Sequence, residues 1–188
     1  MMEREVIFTG IGGQGIQLMA RVLAQAVAAD GRHVMLFGVY GGAMRGSASE
    51  STLVIGAGAI QAPPIVPRCW SVVAMHPQGL VTVARKLRPD GVLCVNETLV
   101  PDPPRAGRTC LAIPATRMAE QAGNLMGAAM ILLGFFVART ELVAVDALVS
   151  AMRAALPAHR ARLADANAAL LRLGADYGNG RSAPTFSG

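Results

Sequence analysis

Gly10-Ile11-Gly12-Gly13-Gln14-Gly15 is the feature that most restricts how this chain can fold. It follows an apolar run of strand length, Glu5 to Ile11, and precedes a long helical pattern ending near Ala29. Asp30-Gly31 then places glycine where a helix C-terminus calls for a left-handed residue. A second apolar run, His33 to Val39, completes a strand, glycine turn, helix, strand unit, for which a parallel pair with a right-handed crossover is expected. Glycines at 10, 12 and 15 satisfy the dinucleotide fingerprint, in which bare backbone approaches an anion at the positive end of a helix. The same glycines also serve a tight turn with close helix–strand packing and no ligand.

The rest of the chain continues the alternation. Residues 40–49 read as a small, glycine-rich loop with one charge, Arg45, and a strand follows at about Glu50 to Ile55. Pro63-Pro64 cannot belong to a central strand, because proline lacks the backbone donor. Ser71 to Met75 reads as a buried strand, Pro77 to Leu87 as a helix with proline in its first turn, and Gly91 to Asn96 and Thr109 to Ile113 as strands. From Thr116 to about Gly174 the pattern is helical, with a break at Pro157. The expected fold is α/β: a single Rossmann-like domain over residues 1–176, with a mostly parallel sheet, helices on both faces and a helical C-terminal part. Residues 177–188 are expected to form a flexible tail.

Composition narrows the function. At 188 residues the chain suits one core, and 53% apolar against 15% charged residues excludes a disordered body. The net charge of +5 is spread along the chain without a basic stripe, and eight aromatic residues leave few stacking platforms, so nucleic acid is not an expected partner. Cys69, Cys94 and Cys110 are widely spaced, which excludes a self-contained zinc ribbon or four-cysteine cluster and fits reduced thiols in a cytoplasm. No targeting segment is read at the N-terminus. The uncharged stretch from Leu125 to Ala138 is too short for a membrane span. It is expected to be a helix buried in protein, packing in the core and against something else.

The glycine turn lacks the partners of two familiar nucleotide sites. A nicotinamide or flavin site wants Asp or Glu at the end of the second strand, where this chain has Leu36-Phe37-Gly38-Val39; a P-loop wants Gly-Lys-Ser/Thr, where it has Gly15-Ile16-Gln17. His76, between a strand and Pro77, sits where a catalytic base can sit, but no Asp, Ser or Cys accompanies it in sequence. His33 and His159 have no motif context. Asn124, at the head of the apolar stretch, is expected to cap it or to point toward the site. No HExxH, GxSxG, paired carboxylates or metal-ligand cluster is present, so neither a catalytic residue nor a metal ligand is assigned.

Together, the glycine turn, Tyr40-Gly41 with Met44-Arg45-Gly46, Ile60 before Pro63, Asn124 with Leu133-Gly134, and Leu156-Pro157, Asn167, Ala168 and Gly174 resemble the gamma subunit of 2-oxoacid:ferredoxin (acceptor) oxidoreductases over residues 5 to 175. The resemblance implies a cytoplasmic enzyme that converts a 2-oxoacid and coenzyme A to acyl-CoA and carbon dioxide. It implies thiamine diphosphate, magnesium and iron–sulfur clusters held by alpha, beta and ferredoxin-like delta subunits. This chain would support assembly and contribute to coenzyme A binding through Gly10, Gly12, Gly13, Gln14, Gly15 and Arg45, and would be inactive alone; separately, the apolar stretch from Leu125 to Ala138 and the low charge point to a large contact with partner subunits or to self-association. Two alternatives are a stand-alone Rossmann-type nucleotide-binding protein and a purely structural assembly subunit. The chain departs from the family pattern where Gly42-Ala43 precedes Met44-Arg45-Gly46, where Ser47 replaces a second glycine, and where Trp70 replaces an aspartate.

Overall fold

The computed structural model describes residues 3–40, 48–60, 66–104 and 108–180. Six strands form one sheet: β1 (Arg4–Ile11), β2 (His33–Tyr40), β3 (Ala48–Gly56), β4 (Cys69–Ala74), β5 (Leu87–Asn96) and β6 (Thr109–Ile113), in the order β2-β3-β1-β4-β5-β6. Six helices accompany them: α1 (Ile16–Ala29), α2 (Pro77–Val83), α3 (Ala115–Gln121), α4 (Ala128–Thr140), α5 (Val145–Ala154) and α6 (Ala161–Gly178).

β1, β4, β5 and β6 run parallel, in keeping with the expected mostly parallel sheet, although no helix stands between β5 and β6 among the described residues. The expected β1–β2 pair does not form. β3 lies between them, antiparallel to both, with Ile11 opposite Ala48 and Tyr40 opposite Ser49. Chain length accounts for the direction of β3: only residues 41–47 separate it from β2, too few for the crossover a parallel neighbour needs, so the two strands run antiparallel. The sheet is therefore mixed, with β3 alone opposed to the other five strands.

Side chains alternate across the sheet. Val6 and Phe8 of β1 join Val73 and Cys94 under a layer made from α1 and α3–α6, while Ile7 joins Val72, Leu93 and Val95 on the face covered by α2. The layer centres on α4, whose residues from Ala128 to Val137 are all buried. α6 lies along Ala128–Val137 and covers that part, so any contact outside the chain falls on the head of the stretch. The stretch is also divided: Leu125–Gly127 is a separate 3-10 turn, which leaves Leu125 54% and Met126 74% exposed at the head of α4.

Other boundaries shift for local reasons. α2 stops at Val83, a 3-10 turn follows, and β5 begins at Leu87 rather than Gly91, with a register shift against β4 between Cys69 and Ser71. α6 continues through Gly178, with the Tyr177 ring edge-on to Phe135, so Tyr177 and Gly178 belong to the helix rather than the tail. Residues 181–188 lie outside the described residues. The C-terminus of α1 forms as read: Gly31 takes φ 81°, donating to Ala28, while Arg32 N–H reaches the Val27 carbonyl.

Candidate anion site at the sheet switch point

β1 leads into α1 on one face of the sheet and its parallel neighbour β4 leads into α2 on the other. The crevice beyond their carboxyl ends is a topological switch point, the place where open α/β sheets receive ligands. The glycine turn occupies it. Gly10, Gly12, Gly13, Gln14 and Gly15 lie together there, with Gly12 and Gly13 exposed.

The turn is locked by Gln14. Its Oε1 accepts the Ile11 N–H at 3.0 Å while its own N–H reaches the Ile11 carbonyl at 3.2 Å. That fold-back requires Gly10, where a Cβ would lie 2.6 Å from Gln14 Oε1 and 2.7 Å from Ile16 Cδ1. Gly13 and Gly15 adopt φ 96° and 78°, the left-handed region that favours glycine. Because Gly15 caps α1, no side chain accepts from the first-turn N–H groups, and no acidic residue stands in that turn. The positive end of this 14-residue helix therefore has no side-chain cap and no counter-charge in its own first turn.

Beside the turn is a hollow of about 260 Å³ between Gly13, Gln14, Met75, Leu99, Thr116 and the exposed pair Leu125 and Met126. A buried asparagine holds its walls. Asn96 ends β5, is fully buried, and donates from Nδ2 to Thr116 Oγ1 at 2.8 Å and to the Met75 carbonyl at 3.4 Å; its Oδ1 accepts the Thr116 N–H at 3.2 Å. α3, which starts at Pro114 without a side-chain cap of its own, is thus capped from β5. Sequence reading missed Asn96, Met75, Leu99 and the role of Gln14. The signal for Asn96 was present as the one polar residue closing the apolar run of β5.

Arg45 lies outside the described residues. The strand ends that flank its segment, Tyr40 and Ala48, are on the same sheet edge as the glycine turn. His76 caps α2, its Nδ1 accepting the Gln78 N–H at 3.2 Å, which makes it a satisfied structural group. Asn124 makes no side-chain cap; its carbonyl closes the 3-10 turn by accepting from Gly127. Burial, aided by the nearby Glu5 charge, pushes the Cys69 thiol up to about 12, and burial likewise raises Cys94. Among the described residues no group of His, Cys, Asp or Glu is arranged to hold a metal, and no helix is long and apolar enough to cross a membrane.

Larger hollows of about 580 and 470 Å³ open at the opposite end of the sheet. Their cations have partners, Arg32 with Asp30 and the Leu142 carbonyl, Arg88 with Glu5, and Arg4 on the Trp70 ring, although the buried Nε of Arg32 has none. The switch point is the better candidate anion site although its hollow is smaller, because the start of α1 has no side-chain cap and no acidic residue in its first turn, whereas Arg32 and Arg88 already face carboxylates.

The model of the pyruvate ferredoxin/flavodoxin oxidoreductase family matches residues 5–177. The 2-oxoglutarate synthase subunit KorC of Methanothermobacter marburgensis is 31% identical over 164 residues, covering 83% of this chain and 88% of KorC. The ketoisovalerate oxidoreductase subunit VorA of Methanothermobacter thermautotrophicus is 30% identical over 136 residues, covering 72% of this chain, but the match spans only 28% of VorA. Among solved structures, the gamma subunit of the keto/oxoacid ferredoxin oxidoreductase from Geobacter sulfurreducens superposes with a TM-score of 0.80 at 26% identity, covering 94% of this chain and 99% of that one. By sequence and by fold, then, this chain belongs to the pyruvate ferredoxin/flavodoxin oxidoreductase family and has the architecture of its gamma subunit.

Proposed function

We propose that the chain is the gamma subunit of a cytoplasmic 2-oxoacid:ferredoxin oxidoreductase and that its glycine turn receives a phosphate of coenzyme A. The observation that carries this reading is the start of α1 at the switch point, which no side chain caps and whose first turn holds no acidic residue. The site fits the coenzyme in two respects. The turn offers N–H donors to an anion without needing a lysine, and the hollow between Met75, Leu99, Leu125 and Met126 offers an apolar wall to an uncharged arm. Arg45 supplies a second, charge-assisted contact in this reading.

When bound, coenzyme A supplies the thiol that accepts the acyl group. This chain's own residues bind and orient it: Gln14 holds the turn open, and Asn96 fixes the spacing of β4, β5 and α3 around the hollow. Thiamine diphosphate, magnesium and iron–sulfur clusters belong to alpha, beta and delta subunits, which accords with cysteines placed singly on β4, β5 and β6. The names of the relatives point to a 2-oxoacid as substrate, and that pocket would lie in a partner subunit.

The test is a charge pair at Gly13, where a side chain meets nothing within 4 Å and the φ of 96° is one that Asp and Asn tolerate better than most residues. In the assembled enzyme Gly13→Asp should raise the coenzyme A concentration needed for acyl-CoA formation by about tenfold or more over Gly13→Asn, because a second anion then faces the phosphate. Arg45→Ala should raise it as well. Carbon dioxide release without coenzyme A should persist in all three. Equal behaviour of Asp and Asn, or a parallel fall in carbon dioxide release, would make the turn a packing device.

A further inference from the structure

The N-cap of α2 leaves one nitrogen of His76 unused at the switch point. β4 ends at Ala74, opposite Thr9 of β1, and the Thr9 carbonyl accepts the Met75 N–H at 2.9 Å. His76 therefore stands beside the strand end from which Ile11 and Gly12 lead into α1. Val73 and Met75 face the layer that holds α1, Ala74 faces α2, and His76 continues that alternation on the α2 side. The start of α1 is thus one wall of the crevice and His76 the other. Pro77, the first residue of α2, has no N–H, so Gln78 supplies the first donor, which Nδ1 accepts at 3.2 Å. A ring nitrogen that accepts carries no proton, so the neutral ring holds its proton on Nε2. The ring is half-buried, and among the described residues Nε2 has no hydrogen-bond partner. No acidic residue stands in the first turn of α2, as none stands in that of α1. Serine, aspartate or asparagine would serve a cap alone at least as well; histidine adds a second, outward nitrogen held in place by the first.

We propose that His76 is a second anchor for the diphosphate of coenzyme A: the start of α1 receives one phosphate and His76 Nε2–H donates to the other. The assignment rests on the coenzyme A reading and extends it from a single anion to a diphosphate laid across the ends of β1 and β4. A diphosphate carries anionic oxygens on two phosphorus atoms, so it can meet donors from both walls of one crevice. Because the Gln78 N–H already fixes the ring, little side-chain freedom is lost when Nε2 takes up its contact. Successive residues then serve different parts of the coenzyme. Met75 lines the apolar hollow that receives the uncharged arm, and His76, on the other side of the strand end, meets phosphate. This layout keeps the thiol away from the imidazole, so His76 is a binding residue and takes no part in proton transfer.

His76→Ser and His76→Asp both keep an acceptor for the Gln78 N–H and remove Nε2, so they separate the cap from the ligand contact. In the assembled enzyme His76→Ser should raise the coenzyme A KM by about tenfold, the worth of one hydrogen bond to a charged group, with the effect in KM rather than kcat and the melting temperature kept. His76→Asp should raise KM by about tenfold again, because a carboxylate then faces the diphosphate. A role confined to capping leaves KM unchanged in both. That result, with Gly13→Asp still separated from Gly13→Asn, would overturn this inference and leave the coenzyme A reading standing. If the Gly13 pair also behaves alike, the reading fails and this inference with it. Should a variant misfold, the unaltered enzyme decides. Desulfo-coenzyme A, which keeps the phosphates and lacks the thiol, should slow modification of His76 by diethyl pyrocarbonate several-fold and leave the exposed His33 and His159 unaffected. Equal reactivity of His76 with and without saturating desulfo-coenzyme A would overturn the assignment.

Discussion

Gly134 on α4 and Gly174 on α6 sit at one helix crossing, and each is bare because the other helix's backbone occupies the place of its side chain. A methyl at Gly134 would run into the Leu171 carbonyl, and one at Gly174 into the Ile131 carbonyl. Each glycine stands three residues after the carbonyl its counterpart meets, so the contact is reciprocal. Gly134→Ala and Gly174→Ala should each destabilise the fold by about 1–3 kcal/mol or more, since backbone cannot yield as a side chain can. Ala169→Ser, on the exposed face of α6, should change stability by less than about 0.5 kcal/mol. Urea midpoints at constant m-value separate the outcomes, and an unchanged midpoint for both glycine variants would mean that the helices are not this close.

Asn96 is the second point where one residue serves several elements. Asn96→Ala removes the donor to Thr116 Oγ1 and the Met75 carbonyl and the acceptor of the Thr116 N–H. Each buried group left unpaired costs roughly 1–3 kcal/mol, so this variant should lose more stability than Thr116→Val, which removes only the Oγ1 contact. The same comparison by amide exchange should show faster opening at the start of α3 in Asn96→Ala. Equal losses from the two variants would contradict the three-way clamp.

The cysteines give a pH prediction with a definite sign. Cys69 is held as a thiol to about pH 12 in the folded chain against an ordinary value of 9.0, so between those values the unfolded state loses a proton that the folded state keeps. Stability contributed by this group is whole below about pH 9 and falls as pH rises toward 12. Cys69→Ala should flatten that fall. In the native chain near pH 8, an alkylating reagent should reach Cys110, which is half-buried, well before the buried Cys69 and Cys94. Rapid reaction at Cys94 without unfolding would count against the burial described here.

How far the sequence carries depends on the range of each interaction. The turn after β1 and the Gly31 cap are legible because each follows from local chemistry, a glycine where φ must be positive; the mostly parallel character of the sheet is legible too, but not the order β1-β4-β5-β6, whose β5–β6 step has no helix between the strands. The place of β3 was not read, although the short connection at residues 41–47 already required it to oppose β2. β2 was read from its apolar run alone, and an apolar run does not distinguish a buried strand from an unprotected edge. For the apolar stretch at 125–138, the sequence shows apolar residues all round without showing that α6 covers Ala128–Val137 and leaves Leu125 and Met126 exposed. At the site the motif names the glycines and Gln14, but not the fold-back hydrogen bond that Gln14 makes nor the places of Asn96 and Met75, since these depend on hydrogen bonds or contacts that spacing does not specify.

The glycine turn itself can be tested without a ligand. Gly10→Ala brings a methyl against Gln14 Oε1 and Ile16 Cδ1, at 2.6 and 2.7 Å in the unrelaxed geometry, so the Gln14 amide must leave and the Ile11 N–H loses its acceptor. Gln14→Ala loses the same hydrogen bond, at a net cost of about 0.5–1.5 kcal/mol, without the crowding. In the double variant that bond is lost once rather than twice and the collision with Gln14 is gone, leaving only the flexible end of Ile16 to move. The two substitutions should therefore cost less together than their sum, with a coupling of about 0.5–1.5 kcal/mol, within the range for residues in contact. Costs that add to within about 0.3–0.5 kcal/mol would show that Gln14 does not fold back over Gly10, and the turn that presents the first N–H groups of α1 to the switch point would then be held by something else.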